Sequence, residues 1–316
     1  MKKLLYATDG SEIAENAGRW TAKLLRGWTE AKATALYVTQ DIVLGYDVTS
    51  DDDQRREEAF ILELNRQLVE EIFPDVVAKV AFAHHTGRPP QKIIEVAREQ
   101  EAELIVIGSH GYNLFDRIFL GSVSEEVFHR SDVPVLIVPN TDAPVQNDAR
   151  IRKILFATDG TPSTEYAGEL VTSLLEAFPD AELTVLYAKQ SIDSYYRDYI
   201  SEDVIQKEEL RAREIRDNLN SGLLAPWSRR WMFRTAEGGA AQIICKIASD
   251  EEFDLVVIGS HGFDLPERLF RGSVSNAVAH RSKVPVLIAK MPRAVQVGVE
   301  AIHQQQEEIP SLPPLF

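Results

Sequence analysis

At residues 105–124 the chain reads IVIGSHGYNLFDRIFLGSVS, and at residues 256–275 it reads VVIGSHGFDLPERLFRGSVS. Each copy begins with a short apolar run, typical of a buried strand, that ends at a glycine. A loop then leads to a Gly-Ser pair, after which the pattern becomes helical. Because strand, glycine turn and helix start occur twice in this order, the two copies could belong to a repeat of the whole domain, which would determine the fold.

Other segments repeat at an offset of 150 or 151 residues. KLLYATDGS at residues 3–11 returns as KILFATDGT at residues 153–161, and HRSDVPVLIV at residues 129–138 returns as HRSKVPVLIA at residues 280–289. The repeat predicts two domains, residues 1–145 and residues 150–292. They are joined by the polar, proline-containing segment NTDAPVQNDAR at residues 140–150. Prolines near the end of residues 293–316 predict an irregular C-terminal tail.

Each copy alternates short apolar runs with helical patterns, as in a parallel sheet that helices cover on both faces. The predicted strands of the first copy are KLLYAT (3–8), ATALYV (33–38), VVAKVAFA (76–83), ELIVIG (103–108) and VPVLIV (133–138). The second copy repeats the series, with RRWMFRTA (229–236) as its third strand. The fold class is therefore α/β, with two tandem, doubly wound, Rossmann-like domains that each contain a five-stranded parallel sheet.

Helix starts and one strand contact are also predicted. Ser11 is placed to cap the first helix, whose apolar face is Ile13, Ala17, Trp20 and Leu24, and a charged helix is expected over residues 53–73. In the second copy Thr161 and Pro162 supply a cap and a first-turn proline. The two VPVLI segments are expected to pair the halves as an intramolecular pseudo-dimer, which would cover two sheet edges. A homodimer of whole chains is a further possibility.

Composition limits the class of partner and the compartment. The 316 residues are 44% hydrophobic and 26% charged, which is ordinary for a globular protein. A net charge of −15 argues against nucleic acid as the main partner. Asp9 and Glu12 interrupt the first apolar run, and no run approaches a membrane span, so neither a signal peptide nor membrane insertion is expected. The single cysteine, Cys245, cannot form a disulfide within the chain, and we expect a cytoplasmic location.

The glycine segments fall where such sheets bind ligands, at the carboxyl ends of the strands. Gly108 and Gly111 are expected to adopt backbone conformations that a side chain would forbid. They are also expected to let a ligand approach the main chain closely. After Gly121, free amides and the positive end of a helix dipole predict a phosphate site. A purely structural turn is the alternative for a single glycine loop. Together with the ATDG turn at the same edge, the loop favours a ligand site.

The glycines share one spacing, Gly-x2-Gly-x9-Gly-Ser. It is met by Gly108, Gly111, Gly121 and Ser122, and again by Gly259, Gly262, Gly272 and Ser273. With the ATDG opening and the VPVLI ending, residues 2–290 resemble the universal stress proteins, specifically the tandem type with two domains in one chain. The resemblance implies a fold similar to the adenine-nucleotide alpha-hydrolases.

The resemblance also implies a ligand. ATP-binding members of this family hold the triphosphate, with Mg²⁺ or Mn²⁺, on the glycine-rich segment, and hold adenosine on the first aspartate and on main chain at the end of the second strand. The implied first-domain contacts are Ala7, Asp9, Val38, Gly108, His110, Gly111, Gly121, Ser122, Val123 and Ser124. Those of the second domain are Ala157, Asp159, Ala188, Gly259, His261, Gly262, Gly272, Ser273, Val274 and Ser275.

Simpler interpretations stand beside these assignments. Asp9 and Asp159 could be turn or cap residues only. His110 and His261 could be solvated loop residues. No catalytic residue and no protein metal ligand is predicted.

The two sites differ in charge near the expected phosphates. Ser122 and Glu125 have the spacing of a capping box, which would add a carboxylate to the first helix start. Asn276 replaces Glu125 and Arg271 replaces Leu120 in the second copy. We therefore expect the second site to bind phosphate at least as strongly as the first.

Three functions remain open from the sequence. The first is a nucleotide-binding stress-response protein that holds one ATP per domain without fast turnover. The second is a slow ATPase or nucleotide transferase, and the third is an interaction module that binds another small ligand. The lysine-bearing phosphate loop Gly-x4-Gly-Lys-Ser/Thr is missing and no positioned base is evident, which favours the first function.

Overall fold

The computed structural model describes residues 1–40, 51–109, 120–140, 150–189, 202–260 and 273–290. The strands of the first half are β1 (Lys3–Thr8), β2 (Lys32–Thr39), β3 (Val80–Thr86), β4 (Leu104–Gly108) and β5 (Val135–Val138). Its helices are α1 (Glu12–Gly27), α2 (Asp51–Gln67), α3 (Pro89–Glu99) and α4 (Ser122–Arg130).

The second half repeats this order. Its strands are β6 (Lys153–Ala157), β7 (Glu182–Lys189), β8 (Trp231–Glu237), β9 (Leu255–Gly259) and β10 (Val286–Ala289). Its helices are α5 (Pro162–Ala177), α6 (Glu202–Ser221), α7 (Ala240–Asp250) and α8 (Ser273–Arg281). The predicted fold class is confirmed. The predicted linker, apart from its two ends, and the predicted tail lie outside the described residues.

All ten strands form one sheet in the order β3-β2-β1-β4-β5-β10-β9-β6-β7-β8. Strands within each half are parallel, whereas β5 and β10 pair antiparallel, with Leu136 opposite Leu287. The predicted contact between the two VPVLI segments is thus present within one chain. Because the central pair is antiparallel, the carboxyl ends of the strands of the two halves lie at opposite ends of the sheet.

The halves also share a core beside the sheet. As the spacing predicts, Ala17, Trp20 and Leu24 of α1 are buried, and they belong to an apolar cluster that continues into the second half. At the end of α1 the Trp28 indole Nε1 donates to the carbonyl oxygen of Ser173 at 3.2 Å and to its Oγ at 3.1 Å. Helix contacts therefore reinforce the strand pairing between the halves.

Several element boundaries differ from those predicted. The third strand begins at Val80 because Val77–Lys79 form a turn of 3-10 helix before Val80 comes into register with Ala33. Its counterpart also begins later than predicted, at Trp231 instead of residue 229. The long charged helix is α2 followed by a π-helical turn, Leu68–Ile72. This turn, closed by the Phe73 N–H donating to the Leu68 carbonyl at 2.8 Å, leaves Phe73 fully buried.

Both predicted cap residues occupy the N-cap position, but only one of them makes a side-chain capping bond. Ser11 caps α1, because its Oγ accepts from the Ala14 N–H at 3.3 Å. Thr161 occupies the same place before α5, and Pro162 opens that helix. However, the Thr161 hydroxyl donates to Asp159 Oδ1 at 2.6 Å and makes no capping bond. Thr161 is thus the N-cap residue, as predicted, but its hydroxyl is directed to the neighbouring carboxylate and not to a helix amide.

Arg230 closes the C-terminal end of α5. Its guanidinium donates to the carbonyl oxygens of Leu175 at 2.9 Å, Phe178 at 2.6 Å and Ala181 at 2.7 Å. We expect Arg230→Met to lower the free energy of unfolding by about 2–4 kcal/mol, since three half-buried carbonyls lose a charged donor. Urea denaturation followed by circular dichroism measures the change.

Lys79 provides a matched control, because it stands at the same point of the repeat. Its Nζ donates to a single carbonyl oxygen, that of Leu25, at 2.8 Å. Lys79→Met is expected to cost about 1 kcal/mol, which is less than Arg230→Met. Equal losses for the two variants would contradict the idea that the number of satisfied carbonyls sets the effect.

Candidate functional site

A cavity of about 420 Å³ opens at the carboxyl edge of the first half. It lies between the ends of β1, β2 and β4 and the first turns of α3 and α4. The predicted contacts that line it are Ala7, Asp9, Val38, Gly108, Gly121, Ser122, Val123 and Ser124. His110 and Gly111 lie outside the described residues. The structure thus brings together all the described residues that were assigned to the first site, and their role as ligand contacts stays a prediction.

The walls of this cavity are largely apolar. Leu36, Ile93 and Ile107 line it and belong to the apolar cluster beneath α3 and α4. Pro89, at the first turn of α3, and Gln40 complete one side. Ligand pockets of 300–1,000 Å³ commonly combine such walls with a few polar groups. The space can therefore take a flat ring system of ordinary ligand size.

One carboxylate oxygen of Asp9 accepts a hydrogen bond within the turn after β1, and the other is available to a ligand. Its Oδ1 accepts from the Ser11 N–H at 3.0 Å, and the Gly10 N–H donates to Thr8 Oγ1 at 3.1 Å. The simpler interpretation of Asp9 as a turn residue is therefore correct for Oδ1. Within the part of the chain that the structure describes, Oδ2 has no hydrogen-bond partner, and Asp9 lines the cavity. One carboxylate can thus shape the turn and accept from a ligand.

Gly10, next to Asp9 in the turn after β1, has a backbone conformation that was not predicted from the sequence. Its φ is +79° and that of Gly160, its counterpart, is +76°. These values lie in the left-handed region that favours glycine. The repeated ATDG segment, with glycine at the same place in both copies, is the sequence signal for this turn.

The main-chain N–H and C=O groups at the end of β2 point towards the side where β1 has already ended. In the second half the Thr158 N–H donates to the Leu186 carbonyl at 3.0 Å, so that carbonyl faces β6. Alternate residues of a strand direct their main-chain groups to the same neighbour, and Ala188 therefore faces the same side, past the end of β6. Val38 holds this position in the first half, just beyond the last residue of β1, Thr8. Its main-chain groups can contact the edge of a ring in the cavity.

The start of α4 presents main-chain donors to the cavity. In the described ranges the amides of Ser122, Val123 and Ser124 have no acceptor, as is usual for the first turn of a helix. The Ser124 hydroxyl is engaged, because it donates to the Ser109 carbonyl at 2.7 Å. That carbonyl also accepts from the Gly121 N–H at 2.6 Å. Ser109, which the sequence reasoning missed, therefore ties together the two ends of the loop between β4 and α4.

The predicted capping box at this helix is wrong. Gly121 is the N-cap, which makes Ser122 the first helical residue and gives its spacing to Glu125 no capping role. The Glu125 carboxylate is instead about half exposed and lies 4.0 Å from His129 Nε2. No side-chain cap therefore satisfies the first-turn amides in the described structure.

The predicted glycine-only conformation is wrong for both described glycines of the first loop. Gly121 has φ −66°, which any residue can adopt, and Gly108 is not among the described glycines with positive φ. A Cβ on Gly108 would lie 2.9 Å from Ile13 Cγ2 and 3.1 Å from the Ile13 carbonyl oxygen. Gly108 is needed because the first turn of α1 crosses the end of β4 at this point.

In the second half the predicted residues occupy equivalent places. Ala157, Asp159 and Ala188 lie at the ends of β6 and β7, Gly259 ends β9, and Ser273, Val274 and Ser275 begin α8. His261, Gly262 and Gly272 lie outside the described residues. Ser275 Oγ donates to the Ser260 carbonyl at 3.3 Å, which repeats the contact of Ser124 with Ser109. The base of the loop is therefore built in the same way in both halves.

The model of the universal stress protein family matches residues 1–139 and residues 150–290. This chain belongs to that family. A universal stress protein of Mycobacterium tuberculosis is 31% identical over 214 residues, which are 64% of this chain and 66% of that protein. The chain thus spans slightly less than two thirds of the length of this curated relative.

One of two similar solved structures of universal stress proteins supports the fold. One from Archaeoglobus fulgidus has 21% identity and a TM-score of 0.64, with 92% of this chain and 97% of that chain covered. Another, solved in complex with cAMP, has 23% identity and a TM-score of 0.37, and covers 44% of this chain and 98% of its own. In the described part of this chain, no helix combines the length and apolarity needed to span a bilayer.

The two universal stress protein domains differ on the α2 and α6 side of the ATDG turn. Phe60 of α2 covers Gly10, and a Cβ there would lie 2.9 Å from Phe60 Cζ. Its counterpart is Arg211, whose Nη2 donates to the Asp159 carbonyl at 2.9 Å. The second domain thus carries a cation beside the turn where the first has an aromatic ring.

The predicted difference at the helix starts is seen in part. The Asn276 side-chain Oδ1 is buried and, in the described structure, has no hydrogen-bond partner, whereas the Glu125 carboxylate is solvated. Leu120 is buried, and Arg271, its replacement, lies outside the described residues. The loss of a carboxylate near the second helix start is therefore present, and the relative affinity for phosphate stays a prediction.

Two further titratable groups in the second domain are held neutral. Burial raises the pKa of Tyr187 to about 12, and donation of its hydroxyl to Glu208 Oε2 at 2.7 Å adds to the rise. Burial likewise raises the pKa of the Cys245 thiol. Since the thiolate is the reactive form, Cys245 has the environment of a structural cysteine.

Proposed function

We propose that this universal stress protein binds one ATP in each domain, together with Mg²⁺ or Mn²⁺, and responds to nucleotide occupancy rather than turning ATP over quickly. One observation carries the proposal. In the first domain a single cavity of about 420 Å³ is lined by Asp9, by the end of β2 at Val38, and by the first turn of α4.

Each part of the nucleotide has a chemical complement in that cavity. The apolar wall of Leu36, Ile93 and Ile107 suits adenine, and the main chain at Val38 suits its polar edge. The available Oδ2 of Asp9 can accept from a ribose hydroxyl. The three amides that open α4 suit phosphate oxygens.

The charges favour delivery of ATP with a divalent cation. The start of a helix carries roughly half a positive charge, which is small beside a triphosphate. Asp9 and Glu125 add negative charge to the same end of the domain. A cation bound to the phosphates reduces this repulsion, so we expect a chelator to weaken ATP binding.

The second domain is proposed to bind ATP through Asp159, Ala188 and the first turn of α8, which repeat the first-domain positions. A cytoplasmic location, the absence of a nucleic-acid partner and a homodimer of whole chains belong to the same proposal. They rest on the composition and on the family. Light scattering tests the homodimer.

Calorimetric titration of purified protein with ATP tests the function, after mass spectrometry of any retained nucleotide. Two ATP per chain are expected in the presence of Mg²⁺, with weaker binding after chelation. Titration with cAMP tests whether a triphosphate is required. Absence of ATP binding would overturn the proposal, and phosphate release faster than about one per second would favour the enzyme alternative.

A further inference from the structure

A lysine of the second domain binds the C-terminal end of α4, the helix whose first turn is proposed to hold phosphate in the first domain. Lys290 directly follows β10, and only 8% of its surface is exposed. Its Nζ donates to the carbonyl oxygen of Phe128 at 2.6 Å and lies 4.6 Å from the centre of that ring. Phe128 belongs to the last turn of α4, whose first turn borders the nucleotide cavity.

The chemistry of this contact suits a helix end. The last carbonyls of a helix have no partner within it, and a cation there also complements the negative end of the helix dipole. A charged donor is stronger than a neutral one, and burial of both groups shields the bond from water. Lys290 therefore restrains the position of α4 as well as satisfying a carbonyl.

The same residue is connected to the base of the second site. Ala289, its neighbour, pairs with Gly259 at the end of β9 and accepts from the Ser260 N–H at 3.0 Å. Ser260 in turn receives the Ser275 hydroxyl of α8. A continuous chain of contacts thus leads from the start of the second-domain loop, through Lys290, to α4.

Within the described residues, the first domain has no equivalent of this contact with the second. The repeat places Pro139 where the second domain has Lys290. Proline has no side-chain donor, so the first domain cannot hold the end of α8 by the same bond. The difference between Lys290 and Pro139 is not among the differences that the sequence predicted between the two sites.

We infer that Lys290 is a positioning residue for the phosphate end of the first nucleotide site. The bond to Phe128 holds α4 so that its first-turn amides stay aimed at the cavity, and the first domain's affinity for nucleotide depends on a residue of the second. The inference rests on the proposed ATP binding.

Hydrogen exchange of the full chain, read by mass spectrometry over an ATP titration, separates the two sites. Peptides over α4 report the first site and peptides over α8 report the second. In Lys290→Met we expect faster exchange in α4 without nucleotide, and a threefold to tenfold weaker apparent affinity at the first site, which is the order expected for a change in coupling. The second-site affinity should stay unchanged.

Two variants control for charge and for folding. Lys283→Met removes an exposed lysine from the same domain and should leave both affinities unchanged. Lys290→Arg keeps a donor and should restore most of the first-site affinity. Unchanged α4 exchange in Lys290→Met, or faster exchange with unchanged first-site affinity, would overturn the inference. Failure of the unaltered protein to bind ATP would instead overturn the proposed function, and the positioning role with it.

Discussion

Replacement of Asp9 by asparagine is expected to weaken ATP binding at the first site by about tenfold to a hundredfold, with little change in stability. The asparagine oxygen can still accept from the Ser11 N–H, as Oδ1 does at 3.0 Å, so the turn is kept. The amide nitrogen then replaces Oδ2 and cannot accept from a ribose hydroxyl. A hydrogen bond to a charged group contributes roughly 1.5–3 kcal/mol, which corresponds to that range of affinity. Calorimetry measures the affinity and urea denaturation the stability.

Asp159→Asn is the matched variant in the second domain. Its Oδ1 accepts from both the N–H and the hydroxyl of Thr161, at 3.0 Å and 2.6 Å, so the turn has an additional bond to retain. The loss of affinity should appear at the second site only. If either variant loses stability and keeps its affinity, the aspartate is a turn residue and its role in binding is wrong.

Leu287→Ala is expected to lower the free energy of unfolding by about 2–5 kcal/mol, the usual cost of removing a buried leucine side chain. Leu287 is 2% exposed and pairs with Leu136, itself 1% exposed, where the two halves of the sheet meet. Because the sheet and one apolar cluster continue across this pair, the loss should be felt in both halves.

Tryptophans allow the halves to be followed separately during urea denaturation. Trp20 and Trp28 lie in the first half, and Trp227 and Trp231 lie in the second. In proteins that keep only one of these pairs, Leu287→Ala should shift both transitions to lower urea by the same amount. Leu62→Ala, at a residue that is 72% exposed, should change stability by less than about 0.5 kcal/mol. A shift confined to the second half would contradict a shared cooperative unit.

The strands were predicted well where local pattern decides them. KLLYAT is β1 with the bounds that its apolar run predicts. The misplaced starts of β3 and β8 have a common reason. Sheet edges have one neighbour, so their pairing depends on where the adjacent strand offers a partner, which an apolar run such as residues 76–83 does not reveal.

The site was predicted mainly because its parts repeat in the sequence. Asp9 and Gly108, with the Gly-Ser pair, are near each other only through the sheet, yet the rule for carboxyl ends of parallel strands places them together. What was missed depends on distant packing. The need for glycine at residue 108 comes from Ile13. The role of Ser109 comes from Gly121 and Ser124, which lie across a loop.

The sequence by itself determined that one α/β domain occurs twice, that each copy ends in a strand able to pair with the other, and that the ATDG turn and the Gly-Ser helix start lie at one carboxyl edge in the first copy. These features follow from periodicity and from repeated motifs, which are local. Only the tertiary structure decided which oxygen of Asp9 is available and that Gly121 caps α4. It alone showed that Lys290 reaches Phe128 across 162 residues of chain. Such contacts depend on side chains that converge from separate elements, and no local pattern records their distance or direction.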